Sequence, residues 1–266
     1  MSKVTSHSLI EMKGDSQKIA CLTVYDYSFA AVLDQAGVDV VLVGDSLGNV
    51  IQGQDSTLPV TMEEMVYHGR CVARGAERAL RVVDMPFMSF QASVEQAVLN
   101  AGRLMKEGAA EMVKLEGGSV VLDQVKAITD ASIPVCAHLG LTPQSVHKFG
   151  GYKVQGRDPA AAEKMKNDAL ALQQAGATVL VLEAIPSSLA GEITQELNIP
   201  TIGIGAGPQT DGQVLVLHDM LGVYPGKRPK FCRNFMSDAD DIQGAIKAYV
   251  DAVKTGSFPT ADHSFD

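Results

Sequence analysis

Val38-Asp-Val-Val-Leu-Val-Gly-Asp45 is the stretch that decides the fold. Val38 to Val43 is apolar at every position but one, as expected of a strand covered on both faces in a parallel sheet. Gly44 follows, and Asp45 leaves a carboxylate just past the strand's carboxyl end. The same arrangement recurs in both directions along the chain. Ile19 to Tyr25 reads as a strand that precedes Asp26. Leu80 to Val83 precedes Asp84, Glu111 to Leu115 precedes Glu116, and Pro134 to His138 ends on its histidine. Thr178 to Leu182 precedes Glu183, and Pro200 to Ile204 runs into a glycine-rich turn, Gly203–Gly207. Val214 to Leu217 reads as an eighth strand.

Helical patterns fill the intervals. One runs through Phe29, Val32 and Leu33 and stops at Gly37. Thr61 with Glu64, and Ser93 with Gln96, have the spacing of capping boxes that open the next two. Further helices read at about 120–129, at 159–175 with Pro159 in the permitted first turn, and at 187–197. Leu139 to Asp158 is glycine-rich, polar and too long for an ordinary connector, which marks a candidate functional loop. Asp238 to Lys254 reads as a terminal helix outside the repeat.

About eight βα repeats in 266 residues favour a (β/α)8 TIM barrel over a doubly wound open sheet. The expected organisation is one barrel domain over residues 1–266. It has an N-terminal segment at 1–18 and an additional C-terminal helix at 238–255.

Composition narrows the function. The formal net charge of −9 leaves no excess of Lys and Arg to neutralise phosphates, so no nucleic-acid partner is expected. Trp is absent and aromatics are 5%, which disfavours stacking platforms. Cys21, Cys71, Cys136 and Cys232 have no metal-binding or C-x-x-C spacing and suit a reducing compartment. No apolar run approaches the ~20 residues that span a bilayer, and no signal-peptide pattern opens the chain. No membrane partner is therefore expected, and the expected location is cytoplasmic.

In such barrels the chemistry sits where the strands end. Asp26, Asp45 with Ser46, Asp84, Lys114 with Glu116, His138 and Glu183 all fall there. Carboxylates gathered from several strands raise one another's pKa unless a cation lies among them. Their oxygens suit a hard divalent ion such as Mg2+, which takes one or two carboxylates plus water and substrate oxygens. Asp45 and Asp84 are the best direct ligands, and Glu116 can complete the shell through water. A lone Asp at such a junction more simply caps the next helix. Lys114, inside an apolar strand, needs an anionic partner, either a neighbouring carboxylate or a substrate carboxylate. Glu183 lies in an apolar setting that suits a general base. His138 reads equally as a hydrogen-bonded core histidine or a donor to a substrate oxygen. His68 and His218 lack metal spacing and read as structural. Gly203–Gly207 lacks a dinucleotide fingerprint, and its glycines fit a tight backbone turn as well as a phosphate site.

Longer motifs carry a specific likeness. Thr23-Val-Tyr-Asp-Tyr-Ser28, Val43-Gly-Asp-Ser-Leu-Gly48, Asp84-Met-Pro-Phe87, Val113-Lys-Leu-Glu-Gly-Gly118 and Ala137-His-Leu-Gly-Leu-Thr-Pro-Gln144 occur in order. With Gln52–Thr61, Gly150–Gly156, Leu182-Glu183 and Gly203–Gly212, they make the chain resemble the ketopantoate hydroxymethyltransferase family from about Ile19 to Asn234. The resemblance implies a barrel of the phosphoenolpyruvate/pyruvate type, assembled as a homodecamer (a pentamer of dimers). It implies hydroxymethyl transfer from 5,10-methylenetetrahydrofolate to 3-methyl-2-oxobutanoate, with Mg2+ or a similar divalent metal. By motif, Asp45, Asp84 and Glu116 hold the metal. Asp45, Ser46, Asp84, Lys114 and His138 contact substrate, and Glu183 accepts the proton. The rival readings are a metal-dependent 2-oxo acid lyase or mutase on the same barrel, and a non-catalytic barrel that binds small molecules.

Overall fold

In the computed structural model, residues 2–226 and 228–266 are described. Eight parallel strands close into a barrel in chain order: β1 (Ile19–Thr23), β2 (Val40–Val43), β3 (Leu80–Asp84) and β4 (Met112–Glu116), then β5 (Val135–Gly140), β6 (Val179–Glu183), β7 (Thr201–Ile204) and β8 (Gly212–Leu215). β8 pairs with β1 to complete the ring. The helices are α1 (Ser6–Gly14), α2 (Tyr27–Gln35), α3 (Leu47–Val50), α4 (Met62–Ala73), α5 (Val94–Lys106) and α6 (Leu122–Asp130). They continue as α7 (Val146–Phe149), α8 (Pro159–Gln174), α9 (Ser187–Glu196), α10 (Leu217–Met220) and α11 (Ile242–Lys254). No helix among the described residues is long and apolar enough to cross a membrane.

The strands alternate in the way that places the chemistry. In β4, Met112, Lys114 and Glu116 point into the barrel, while Val113 and Leu115 pack outward under the helices. The lower barrel is filled by Cys21, Val40, Val82, Val179 and Val214 and keeps a residual cavity of only about 10 Å³. It is a packed core, so polar side chains can collect only above it, at the strand ends.

Helix starts follow the capping signals. Thr61 and Glu64 form a reciprocal box at α4, whereas Ser93 caps α5 by accepting from the Gln96 backbone N–H alone. β8 begins two residues earlier than its apolar residues suggest. The cause is Gly212, where a Cβ would lie 2.5 Å from the Ile19 carbonyl oxygen. Its missing side chain lets β8 close against β1, a signal that apolar patterning does not register.

Two helices complete the barrel. α11 packs against β1, and its buried Tyr249 hydroxyl lies 2.9 Å from both the Cys21 and Gln213 carbonyl oxygens. It covers the seam beside β8, where α10 has only four residues. The 1–18 segment contains α1, which sequence periodicity misses because Leu9 is the helix's only fully buried residue. Leu9 joins the cluster of inward side chains at the amino ends of the strands and stoppers the barrel there.

Replacing Leu9 with Ala opens a cavity against the barrel floor. We expect Leu9→Ala to lower unfolding stability by about 2–5 kcal/mol in denaturant titrations, as for other buried leucines. A loss within experimental error would show that α1 is not part of the core.

Candidate active site

Register brings the strand-end side chains together. β3 pairs Asp84 with Lys114, β4 pairs Glu116 with His138, and β5 pairs Gly140 with Glu183. Asp45 and Ser46 follow β2 directly. All seven predicted residues, Asp45, Ser46, Asp84, Lys114, Glu116, His138 and Glu183, line one cavity of about 640 Å³ at the carboxyl ends of the strands. Asp26 is absent from it. Its side chain accepts from the Phe29 N–H and caps α2, the plainer reading of an Asp at such a junction.

The lowest layer is an ion pair. Lys114 Nζ lies 2.8 Å from Asp84 Oδ1, and both side chains are at least 94% buried. Asp84 Oδ2 accepts from the Asp45 backbone N–H at 3.0 Å, which fixes the turn after β2. Burial works to lower the Lys114 pKa, but Asp84, Glu116 and Asp45 around it hold the ammonium above its usual range. Burial raises the Asp84 carboxyl, with Lys114 opposing. Asp45 is pushed well above the usual carboxylate range by burial, then by Asp84 and Glu116.

Gln144, in the loop after β5, ties these acids to one another. Its side-chain amide donates to Asp45 Oδ2 at 2.9 Å and to the Met85 carbonyl at 3.0 Å. Its backbone N–H donates to Glu116 Oε2 at 3.0 Å. Sequence patterning does not single out Gln144; its only signal was membership of the Ala137–Gln144 motif. Ser46 is held from the other side, 2.8 Å from the Tyr25 hydroxyl, which itself donates to Thr23 Oγ1.

His138 bridges two carboxylates. Its Nδ1 stands 3.5 Å from Glu116 Oε1 and its Nε2 stands 3.3 Å from Glu183 Oε2. Burial and Lys114 both work to lower its pKa, yet Glu116 and Glu183 outweigh them and lift it to about 9. Glu116 feels the reverse: burial raises it, but His138, Lys114 and Gln144 bring it below the usual value. Gly140 allows this contact. It has φ of 95°, and a Cβ there would fall 2.1 Å from the Glu183 carbonyl oxygen. Only glycine lets β5 end this close to β6.

Four carboxylates thus surround one lysine and one histidine, an acidic surplus that a cation would neutralise. Among the described residues, no three His, Cys, Asp or Glu side chains already share a metal-ligating geometry. Glu116's oxygens face Gln144 and His138, Asp84's face Lys114 and the Asp45 N–H, and Asp45 Oδ2 faces Gln144. Each carboxylate oxygen keeps a second lone pair, and the adjoining Asp45 and Asp84 could converge on one ion. Two carboxylates with water and a chelating substrate suit Mg2+. The remaining motif, the Gly203–Gly207 turn, is accounted for by packing. Phe231 and Phe265 lie over Gly205, where a Cβ would approach Phe231 to 2.8 Å. His68 sits on α4 with Nδ1 2.6 Å from the Tyr25 carbonyl oxygen.

Comparison with known proteins identifies the family and the fold. The profile of the family described as ketopantoate hydroxymethyltransferase matches residues 3–261. A 3-methyl-2-oxobutanoate hydroxymethyltransferase of Azoarcus sp. (strain BH72) is 59% identical over 98% of this chain and 97% of its own. One from Shewanella sp. (strain ANA-3) is 57% identical over the full length of both. Among solved structures, phosphoenolpyruvate phosphomutase from Streptomyces platensis subsp. rosaceus superposes with TM-score 0.62 at 14% identity, covering 82% of this chain and 83% of its own. Phosphonopyruvate hydrolase, in a complex with oxalate and Mg2+, gives TM-score 0.61 at 12% identity over 81% of each chain. At such identities these last two share the barrel fold alone.

The bridging histidine yields a titration. In ligand-free protein the His138 ring protons should titrate by NMR with a midpoint of about 9, against an ordinary 6.5. Because the folded value is raised, the stability it contributes is complete below pH 6.5 and is lost as pH climbs through about 9. A midpoint near or below 6.5 would mean that Glu116 and Glu183 do not hold the ring as described.

Proposed function

This chain belongs to the ketopantoate hydroxymethyltransferase family, and from its barrel-mouth residues we propose how it carries out the family's reaction. It is a transferase that adds a hydroxymethyl group to 3-methyl-2-oxobutanoate to give 2-dehydropantoate, a step of pantothenate biosynthesis. We take 5,10-methylenetetrahydrofolate as the donor, with tetrahydrofolate as the second product.

The observation that carries the mechanism is the chain of contacts from Asp84 to Lys114, from Lys114 Nζ to His138 Nδ1 at 3.4 Å, and from His138 to Glu183, along the wall of one cavity. Asp45 and Asp84 would hold Mg2+ or a similar divalent ion, with Glu116 in the outer shell. When bound, the ion would supply Lewis-acid stabilisation of negative charge on the substrate's 2-oxo oxygen. Lys114 turns its ammonium to the substrate carboxylate, and Asp84 fixes its direction from below. Ser46, anchored by Tyr25, meets the same end of the substrate. Glu183, 15% exposed at the cavity wall, takes the proton from C3. His138, charged near neutral pH and braced by Glu116, orients the Glu183 carboxylate toward that carbon. The enolate so formed attacks the one-carbon unit.

We also propose a homodecamer built as a pentamer of dimers, in the cytoplasm. Exposed Tyr67, Leu99 and Val120 support burial of outer helical surface between copies, and the absence of disulfides among the described cysteines suits a reducing compartment. Light scattering should then give ten times the 28.2 kDa chain mass; a monomer at micromolar concentration would dismiss the assembly.

Exchange of the C3 proton tests the chemistry. In D2O with Mg2+ and no folate, NMR should show loss of the methine signal of 3-methyl-2-oxobutanoate. Glu183→Gln should slow this exchange by at least about 100-fold while the substrate still binds. Undiminished exchange in that variant would reassign the base. Calorimetry should find Mg2+-dependent substrate affinity that Asp84→Ala removes; metal-independent binding would dismiss the proposed ligand pair.

A further inference from the structure

The cavity is far larger than a five-carbon 2-oxo acid requires, and Asp219 is one of several titratable groups on its wall with no part in the steps above. Asp219 lies in α10, just beyond the end of β8, and lines the same cavity as Glu183 and Lys114. Among the described residues its carboxylate makes no hydrogen bond and no ion pair within 4 Å, and it caps no helix: α10 begins at Leu217, and its N-cap residue is Val216. Among the described residues, the groups that act on it or feel its charge are Arg228 and Cys232 from the segment after α10, and Tyr25, two residues past β1. Lys114 and the metal-site acids are not among those that set its charge. Burial raises its carboxyl to about 6, with Arg228 opposing, so both protonation states are populated near neutral pH.

Transfer from methylenetetrahydrofolate moves protons to two nitrogens while Glu183 holds the proton taken from C3. The methylene carbon is bonded to two nitrogens. The first C–N bond breaks with its electron pair going to nitrogen, which must take a proton. Water then adds to the iminium carbon and gives up a proton. The second C–N bond breaks with its pair to the other nitrogen, which is protonated as the hydroxyl proton leaves and formaldehyde forms. C3 of the enolate attacks that carbon, and the resulting alkoxide takes a proton. Over the cycle the two nitrogens gain two protons, both supplied by the water; the C3 proton ends on the product alkoxide, and the water oxygen stays in the product. No oxidant or reductant is involved.

We propose that Asp219 is the acid and base of this donor half-reaction: its carboxylic acid protonates the departing nitrogen, and its carboxylate then takes the proton from the attacking water. The inference rests on the reading that methylenetetrahydrofolate is the donor. It divides the cavity by task, with Glu183 serving the 2-oxo acid and Asp219 serving the amine.

Three assays on the full-length enzyme with Mg2+ separate these tasks: C3 exchange in D2O, product formation with methylenetetrahydrofolate, and product formation with free formaldehyde, which needs no C–N cleavage. Asp219→Asn should lower kcat with the folate donor by at least about 100-fold, the usual range for a lost general acid–base. Exchange and formaldehyde-driven synthesis should stay within about threefold of wild type. Asp219→Glu should restore part of the folate-dependent rate. Folate-dependent turnover unchanged in Asp219→Asn would overturn the assignment, as would an equal fall of all three activities in a variant that melts at the wild-type temperature. If Asp219→Asn does not fold, Asp219→Ala decides: no slowing of the folate reaction relative to formaldehyde counts against the assignment. Wild-type enzyme that exchanges the C3 proton but makes no product from the folate would sink the reading of the donor, and this inference with it.

Discussion

The ion pair between Lys114 and Asp84 is the constraint on which the rest of the site depends. Two opposite charges removed from water attract strongly, but each has lost its hydration, so the pair is stable only with further partners for its remaining polar atoms. The barrel provides them. Asp84 also takes the Asp45 backbone N–H, Asp45 is held by Gln144, and Gln144 in turn holds Glu116. One buried lysine thereby sets the position of three acids from three strands. Replacing it would strand a carboxylate in a dry interior and loosen every contact built above.

Much of this was legible from one strand pattern. Apolar runs that end in Asp45, Asp84, Glu116 and Glu183 mark both a parallel barrel and the mouth where its chemistry collects, because strand alternation and strand-end placement share a cause. What patterning missed lacks a periodic signature. α1 buries a single leucine, too little to register as an amphipathic face. Gly212 starts β8 by the absence of a side chain. Gln144 acts through a loop whose shape local sequence does not encode. Asp26, which looks like its neighbours in the series, proves to be a helix cap. Residue type is the same, but β1 ends at Thr23, three residues before Asp26, whereas Asp84 is the last residue of β3 and lies against Lys114.

The acidic balance of the chain also takes on a more particular meaning. A net charge of −9 would repel anionic substrates if it acted as a whole. Screening limits such fields to about 8 Å at physiological salt, so what an incoming anion meets is the local arrangement: Lys114 at the floor, a protonated His138 beside it, and a basic residue, Arg228, at the rim. A cation would neutralise the surplus carboxylates there.

The stopper at the other end of the barrel has a consequence of a different kind. With Leu9 plugging the amino ends of the strands and almost no free volume below Lys114, the described residues leave no passage through the barrel floor, and ligands enter and leave from the mouth side. A ligand seated at the floor must then arrive before one that fills the mouth, and cannot depart until the outer one has gone. Sequence of arrival, which kineticists usually assign to conformational change, is here a matter of depth.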